Sequence, residues 1–193
     1  RVKRLQMSYS ELYNLIVAEL TQAIVNKIVD LALVEGDGTN GFKSIEKEED
    51  DKKVKKITTK AKKAGGTPFA DAIEEAVDFV RPTAGRRYLI VKVEDRKALL
   101  DELRQAPANA NVRIKNDDTE IASEVGVDEI IVYTGSKALK PTVLVDQKYH
   151  IDMQDLTKVD AFEWKTNSNM ILVETLTSGH VETYNAGAVI TVA

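Results

Sequence analysis

A loop after a long helical stretch reads Gly36-Asp37-Gly38-Thr39-Asn40-Gly41, which matches the G-x-G-x-x-G spacing of dinucleotide-binding loops. Such loops hold a pyrophosphate because a strand leads into the glycines and a helix N-terminus follows them. Here the order is reversed, since helical periodicity precedes Gly36. A helix C-terminus carries negative partial charge and repels phosphate. The sequence therefore predicts a turn at 36–41 and no nucleotide site.

Metal-ligating residues are few and scattered. A calcium loop of the EF-hand type starting at Glu35 would need glycine at its sixth position, where the chain has Asn40. There is no cysteine, which excludes disulfides and thiolate metal sites and fits a reducing compartment. The two histidines, His150 and His180, are distant in sequence. We therefore predict no metal site and no cofactor.

Catalytic side chains are equally isolated. His150 lies in a predicted strand without a Ser-Asp pair nearby, so we expect a structural or surface histidine. The paired carboxylates Asp50-Asp51 and Asp117-Asp118 lie in charge-rich loops and are expected to be solvated. No phosphate loop follows a strand, and no G-x-S-x-G elbow occurs. The sequence predicts no catalytic residue and a protein that is not an enzyme.

The charged segment Glu46–Lys63 places acids first and lysines after them, with Val54 and Ile57 as its sizeable apolar residues. We interpret it as a solvated, mobile loop or hairpin. The alternative is a basic arm that contacts nucleic acid, which the adjacent acids and the net charge of −4 oppose. Trp164 beside Phe162 is expected to pack rather than to form a base-stacking platform.

Composition bounds the remaining classes. The chain has 193 residues and is 43% hydrophobic, which is typical of one large or two small globular domains. No apolar run of about 18 residues is free of polar breaks, so we expect no membrane partner. No signal peptide is visible, and the chain begins at Arg1.

The element that must carry the glycine loop is a long helix, predicted over Ser8–Val34. Ser8 with Glu11 has capping-box spacing, and Gly36 is expected to be the left-handed residue that ends the helix. About 25 helical residues span roughly 37 Å, which suggests an extended spine. Its apolar residues recur at spacings of three and four: Leu12, Leu15, Ile16, Leu20, Ile24, Ile28 and Leu31.

The middle of the chain alternates helix and strand, as an α/β unit does. Thr67 and Pro68 are typical of a helix start, and Asp95 is expected to cap a second helix. A helical turn is predicted at 121–125. Predicted strands lie at 87–93, 112–115 and 129–133.

The C-terminal part of the chain is predicted to be all strand, with turns at Asn167-Ser168 and Ser178-Gly179. We expect the spine helix to bury its wide apolar arc against these strands, so aspartate at Leu20 or Ile24 should unfold the chain. The fold class is α+β. The strands are predicted at 142–145, 149–153, 161–164, 170–176, 181–184 and 188–192.

Three segments resemble the major capsid proteins of tailed bacteriophages, which share the Hong Kong phage-type capsid fold. The first is ELTQAIVNKIVDLALVEGDGTNGFKSI, Glu19–Ile45, with a long helix ending in a G-D-G-T turn. The second is the helix-strand-helix run Phe69–Arg104, and the third is the tail Asn169–Ala193. The family's N-terminal arm and extended loop would precede Arg1 and are lacking, and segment 46–63 matches no family element.

The resemblance implies a division into domains. Residues 1–65 would form a peripheral domain with the spine helix and the charged loop. Residues 66–148 would form an α/β axial domain, and residues 149–193 would return to the peripheral domain as C-terminal antiparallel strands packed on the spine helix.

The resemblance also implies a structural function. Copies of the protein would self-assemble through pentamers and hexamers into an icosahedral head shell that encloses phage DNA without sequence-specific binding. Scaffold, portal and head-decoration proteins would be further partners. The protein would be located in the virion, after assembly in the bacterial host cytoplasm. The alternative is an encapsulin-like shell that encloses cargo enzymes, because fold alone does not separate the two.

Overall fold

The computed structural model describes residues 9–39, 41–61, 66–106, 114–163 and 168–192. Its helices are α1 (Tyr9–Asp30), α2 (Pro68–Val80), α3 (Val93–Gln105) and α4 (Asp118–Val125), and a π-helical turn (Leu31–Glu35) continues α1. Its strands are β1 (Val54–Thr58), β2 (Arg87–Val91), β3 (Glu129–Val132), β4 (Thr142–Val145), β5 (Tyr149–Met153), β6 (Thr157–Glu163), β7 (Ser168–Glu174), β8 (Thr177–Val181) and β9 (Gly187–Thr191). The predicted α+β class is confirmed.

A five-stranded mixed sheet forms the centre, in the order β1-β9-β4-β2-β3. The outer pairs β1–β9 and β2–β3 are parallel, whereas β4 runs antiparallel to both β9 and β2. Two antiparallel ribbons, β5–β8 and β6–β7, lie outside this sheet. A hydrogen bond from the Gln154 amide to the Leu176 carbonyl joins the ribbons end to end.

Helices α2, α3 and α4 cover one face of the sheet. Leu89 and Val91 of β2 are fully buried in the same apolar cluster as Ile73 and Leu99. Successive residues of a strand point to opposite faces, and Ile90, between them, belongs to a second cluster on the other face. That second cluster takes in Leu33 from the π-helical turn, so the end of the spine helix contributes to the core.

The cap of α2 comes from another helix. Thr67 makes no capping bond to the backbone, and its hydroxyl instead donates to Asp71 Oδ1 over 2.9 Å. The buried carboxylate of Glu102 in α3 accepts from the Phe69 and Ala70 amides, each at 2.9 Å. A carboxylate at a helix N-terminus satisfies free amides and favours the helix dipole. The predicted helix start, with Thr67 at the N-cap position and Pro68 in the first turn, is confirmed, but Glu102 rather than the Thr67 side chain binds the free amides.

The helix exit at Gly36 differs from the prediction. Gly36 has φ −56°, so it is not left-handed. Its amide donates to the Leu31 carbonyl at 2.9 Å, which closes the π-helical turn. A Cβ on Gly36 would lie 2.6 Å from Leu31 O and 2.8 Å from Phe42 O. Glycine is needed here because two backbone segments meet, and the left-handed positions are Gly38 and Gly41 instead.

The glycine loop docks on the C-terminal ribbon. The Lys43 amide donates to the Gly179 carbonyl at 2.8 Å, and the Gly179 amide donates to the Gly41 carbonyl at 3.0 Å. The Phe42 ring fills the space beside Gly179, where a Cβ would lie 2.6 Å from the ring. The sequence predicts a turn at Ser178-Gly179, but both residues lie inside β8. The strand has a glycine at this position because the Phe42 ring packs directly against it.

The spine helix meets β7, but most of it is not covered. Val17 and Ile28 are buried, whereas Leu15, Leu20, Val25 and Val29 are 36–48% exposed. The expectation that the whole apolar arc is buried within the chain is wrong. Leu20 is only 36% exposed and Ile24 is half-buried, so the unfolding expected of Leu20→Asp or Ile24→Asp stays a prediction.

The charged segment is folded rather than a mobile loop. Residues 54–58 form β1, parallel to β9, with Val54 and Ile57 buried. Lys56 Nζ donates to the carbonyls of Ile45 and Glu46 over 3.0 and 2.6 Å. Two apolar residues and a lysine that satisfies backbone carbonyls are enough to fix the segment at the sheet edge. Its interpretation as a solvated loop or hairpin is therefore wrong for residues 54–58, whereas Lys62 and Lys63 lie outside the described residues.

Several smaller predictions differ or lie outside the described residues. Helix α3 begins at Val93, so Asp95 lies in its first turn and does not cap it. Ile114 and Lys115 are not in a strand. Outside the described residues lie the predicted strand before the spine helix, Ser8 of its cap, residues 112–113 and Trp164, and the Phe162 side chain is likewise not described. The central sheet takes β1 and β9 from the predicted peripheral segments, and the domain division stays a prediction.

Polar contacts hold the helix end against the sheet. The Tyr133 hydroxyl donates to Asp30 Oδ1. Burial of the hydroxyl is the larger cause, and this bond the second, that raises the pKa of Tyr133 to about 12. Glu35 forms ion pairs with Lys137 and Lys27. The bond to Lys137, and after it the bond to Lys27, lowers the pKa of Glu35 to about 2. The junction therefore fixes the direction in which α1 leaves the core.

We predict that Gly36→Ala destabilises the chain by about 3 kcal/mol, because its Cβ meets backbone atoms that cannot rotate away. Urea unfolding of the purified chain measures the change. Gly38→Ala is the matched control, since φ is +89° but nothing lies within 4 Å, and it should cost only about 1–2 kcal/mol. A Gly36 variant as stable as the Gly38 variant would contradict the close approach.

We predict that Glu35→Gln lowers stability at neutral pH and that the difference from the parent disappears in acid. The folded-state pKa is lowered from 4.5 to about 2, so the ion pairs stabilise above pH 4.5 and their contribution is lost as the pH falls toward 2. Urea midpoints of both proteins across this range test the prediction. The exposed Glu74→Gln is the control, and a pH-independent difference would refute the ion-pair explanation.

Candidate assembly surfaces

The glycine loop has no phosphate-binding geometry, because α1 and its π-helical turn lead into it and no helix starts at its end. Asp37 Oδ1 accepts from the Thr39 amide at 2.9 Å, and that bond lowers the pKa of Asp37. The carboxylate is thus turned to the backbone of its own loop. The loop joins two parts of the fold and carries no ligand chemistry.

The paired carboxylates are structural. Asp117 Oδ1 accepts from the Thr119 amide at 3.1 Å and caps α4, while Asp118 forms an ion pair with Arg96. Asp50 Oδ1 accepts from the Lys52 amide at 3.0 Å in the turn before β1. Neither pair brings two carboxylates to one substrate position, as acid-base catalysis would need.

The two histidines, far apart in sequence, are direct cross-strand partners in the β5–β8 ribbon. The ring centroids of His150 and His180 are 6.1 Å apart, with an interplanar angle of 65°. His150 Nε2 lies 3.0 Å from Asp152 Oδ1, and His180 Nε2 lies 3.6 Å from Glu182 Oε1. Both rings are about half exposed. Sequence separation hid this pair, because only the ribbon register brings the two positions together.

Several described lysines of the charged segment and its surroundings are engaged within the fold. Lys53 Nζ donates to the Val181 carbonyl at 2.9 Å, and Lys55 Nζ lies 2.7 Å from Glu75 Oε1. Burial lowers the pKa of Lys56. Lys43 Nζ pairs with the buried Glu48 at 2.9 Å, and although burial opposes it, this bond helps lower the Glu48 pKa. Cations committed to carbonyls and carboxylates do not form a phosphate-binding arm.

Two further searches cover the described ranges. Within 9–39, 41–61, 66–106, 114–163 and 168–192, no three His, Cys, Asp or Glu side chains are grouped as a metal site. In the same ranges, no helix has the length and apolar content to cross a membrane. An open basin of about 980 Å³ is lined by both signs of charge, among them Asp37, Glu49, Asp51 and Lys47.

The largest unpaired feature of α1 is an apolar stripe along one side. Leu15, Val25 and Val29 are 48%, 45% and 40% exposed. Their spacing of ten and four residues places them on one side of a 3.6-residue helix. We call these three residues the spine stripe. The exposed Gln22 and Asn26, which are hydrogen-bonded to each other, lie between them on the same side, so the stripe is apolar only in part.

The stripe continues into an apolar groove of about 410 Å³ between the end of α1, the sheet and the β5–β8 ribbon. Val29 lies at their boundary, and Ile131 and Ile151 in the groove are 42% and 43% exposed. The groove exists because the helix end and the ribbon leave part of the second sheet face uncovered. Its lining is Val29, Ala32, Leu33, Ile45, Ile90, Ile131, Val132, Tyr133, Thr134, Leu144, Tyr149 and Ile151.

The ribbons also expose apolar side chains. Met153, Val159, Leu172 and Leu176 are 41–71% exposed along β5–β8 and β6–β7. An isolated two-stranded ribbon is only marginally stable in water. The stripe, the groove and the ribbons thus expose apolar side chains on several elements of the described chain. The sequence showed the wide apolar arc of the helix, but only the fold shows which part of it stays uncovered.

Known proteins with similar sequences share one description. The chain is 95% identical over its 193 residues to the capsid protein of Lactococcus phage p2 and equally to that of Lactococcus phage SK1. It spans about half the length of these relatives, 49% of each. No model of a known protein family matches it.

Solved structures show the same fold at low sequence identity. The capsid of an empty GTA particle superimposes with a TM-score of 0.59 at 14% identity, covering 98% of this chain and 69% of that one. A phage-related protein from Bordetella bronchiseptica RB50 gives 0.54 at 14%, covering 93% and 64%. The satellite phage P4 procapsid, which includes the size determination protein Sid, gives 0.51 at 12%, covering 96% and 65%.

The sequence matches and the structural matches agree. The first cover all 193 residues at 95% identity, and the second cover more than nine tenths of the chain. The earlier resemblance at Glu19–Ile45, Phe69–Arg104 and the C-terminal tail is thereby confirmed. Over all 193 residues, this chain is similar in sequence to the two Lactococcus phage capsid proteins, and over more than nine tenths of its length it shares the fold of these solved structures.

Proposed function

We propose that the chain is part of a major capsid protein, a structural subunit whose copies assemble into a closed phage head shell. The observation that carries this proposal is the 95% identity to two phage capsid proteins over every residue of the chain. Identity at this level leaves the core and the surface almost unchanged, so the same interfaces are expected.

The uncovered apolar surface supports assembly. A shell subunit must present patches that match different patches on its neighbours, since such heterologous contacts close into rings. The spine stripe and the adjoining groove provide a rigid apolar patch on one side of α1. Stable protein interfaces bury about 800 Å² on each partner, around a core poor in charge. We place the subunit contact of this chain at the spine stripe.

The finer features of the shell are part of the same proposal. Pentamers and hexamers of the protein would form an icosahedral head, assembled in the bacterial cytoplasm and retained in the virion. Scaffold, portal and head-decoration proteins are its expected partners. The α1 segment and the C-terminal ribbons would form the peripheral domain, and residues 66–148 the axial domain.

The packaged DNA would be enclosed rather than specifically bound. The chain carries a net charge of −4, and its lysines at 43, 53, 55 and 56 bond to groups of the same chain. Binding to phosphate would need free cations and would weaken steeply with salt. Enclosure without a dedicated DNA site fits this arrangement.

The contents of purified shells separate the phage head from an encapsulin-like compartment. Particles made by the capsid protein containing this chain, isolated from phage lysates, are predicted to hold DNase-protected DNA. Nucleic-acid absorbance and mass spectrometry of the contents measure this. Shells filled with a cargo enzyme and free of DNA would overturn the phage-head proposal and favour the alternative, although both share one fold.

We predict that Leu15→Asp with Val25→Asp in the capsid protein containing this chain abolishes closed shells, because two charges would be buried in the subunit contact. Electron microscopy and sedimentation of the assembled protein measure shell yield. Both sites are exposed in the single chain, so its unfolding free energy should change by less than about 2 kcal/mol in total.

The matched control is Ala23→Asp, which adds an exposed charge on a different side of α1. It should assemble normally if the stripe itself is the contact. Normal shells from the Leu15 and Val25 double variant would show that the spine stripe is not an interface. Loss of shells in both proteins would assign the defect to helix charge rather than to the stripe.

A further inference from the structure

We propose that His150 and His180 form a binding site for a late first-row divalent metal ion on the exposed face of the β5–β8 ribbon. The site is independent of the proposed shell function. Every histidine of the chain takes part, since the sequence has two. The register of β5 and β8 sets them directly opposite each other, where the Cβ atoms of a cross-strand pair are about 4.5–5.5 Å apart.

The ring geometry suits one shared ion. Bonds of about 2.0–2.1 Å to a tetrahedral ion place two ligating nitrogens about 3.3 Å apart. The centroids are 6.1 Å apart and the planes are inclined by 65°, so the near edges of the rings approach to such a separation after small side-chain rotations. The rings are free to make these rotations, because the His150 and His180 side chains are 50% and 45% exposed.

Carboxylates beside the rings favour the ligating state. Asp152 Oδ1 lies 3.0 Å from His150 Nε2, and a proton held on Nε2 by this bond leaves Nδ1 with a free lone pair. Glu182 lies near the corresponding nitrogen of His180, with Oε1 at 3.6 Å from Nε2, which is too long for a hydrogen bond but leaves the carboxylate next to the ring. A carboxylate on the second nitrogen is the usual partner of a metal-bound histidine, which it orients and makes more basic.

The donor set selects the class of ion. Neutral imidazole suits copper, nickel and zinc, and affinity for a nitrogen site rises from nickel to copper and falls again at zinc. Two imidazoles leave the remaining coordination positions to water, so binding is weaker than at a structural zinc site with four protein ligands. Calcium and magnesium prefer oxygen ligands. If calcium or magnesium bound, the expected ligands would instead be carboxylates of the open basin around Asp37 and Asp51.

Calorimetric titration of the 193-residue chain with Cu²⁺, Ni²⁺ or Zn²⁺ alone, in a buffer that does not chelate, tests the site. We expect one ion per chain, in the affinity order Cu²⁺ > Ni²⁺ > Zn²⁺. The thermal midpoint should rise with metal concentration, because the ion bridges two strands of the folded chain. Acidification should weaken binding, since protons compete for the imidazoles.

Single variants His150→Gln and His180→Gln should each lower the Cu²⁺ affinity by about tenfold or more, a loss of about 1.4 kcal/mol per tenfold. Lys148→Gln, at the residue directly before β5, is the matched control and should bind as the parent does. The exposed positions of both histidines make misfolding unimportant, and circular dichroism of each variant verifies the fold.

Three outcomes would overturn the site. One is a dissociation constant for Cu²⁺ weaker than about 1 mM in the parent. Another is equal binding by the parent and by the variant that lacks both histidines, which would place the ion elsewhere. The third is a preference for Ca²⁺ or Mg²⁺ over Cu²⁺, which would assign binding to carboxylates.

Discussion

The close backbone contact at Gly36 is the constraint on which the rest of the structure depends. The π-helical turn ends where the Gly36 amide meets the Leu31 carbonyl, and the Phe42 carbonyl closes in from the other side. No side chain fits between them. The contact turns the chain from the spine helix onto the second face of the sheet, so that Phe42 reaches Gly179 in β8. One glycine thereby sets the relation of helix, sheet and ribbon.

Charged residues fasten this junction instead of serving chemistry. Glu35 pairs with Lys27 and Lys137, Asp30 accepts from Tyr133, and Lys56 satisfies the carbonyls that follow the loop. All of these bonds except the Lys27–Glu35 pair, which lies within the helix and its π-helical turn, tie the helix exit or its neighbouring segment to another part of the chain. In the proposed shell, a rigid exit would matter because the direction of α1 would determine where the spine stripe meets a neighbouring subunit.

Next to this rigid junction, part of the apolar surface is left uncovered. The helix end and the β5–β8 ribbon cover the second sheet face only in part, and the groove at Val29, Ile131 and Ile151 remains. In the proposed shell, a neighbouring subunit would cover this groove.

The sequence by itself determined the α+β class, the long helix before the glycines and most strand positions, because periodicity and turn residues act locally. It also excluded a nucleotide site at 36–41, since the order of elements is a property of sequence. Tertiary structure alone decided that Glu102 caps α2, that the charged segment joins the sheet and that His150 faces His180. Those outcomes depend on contacts between residues that are distant in the chain. Which side of α1 stays uncovered depends on such contacts as well. Periodicity shows that a helix face is apolar, but whether the same chain or a neighbour covers it is set by packing in three dimensions.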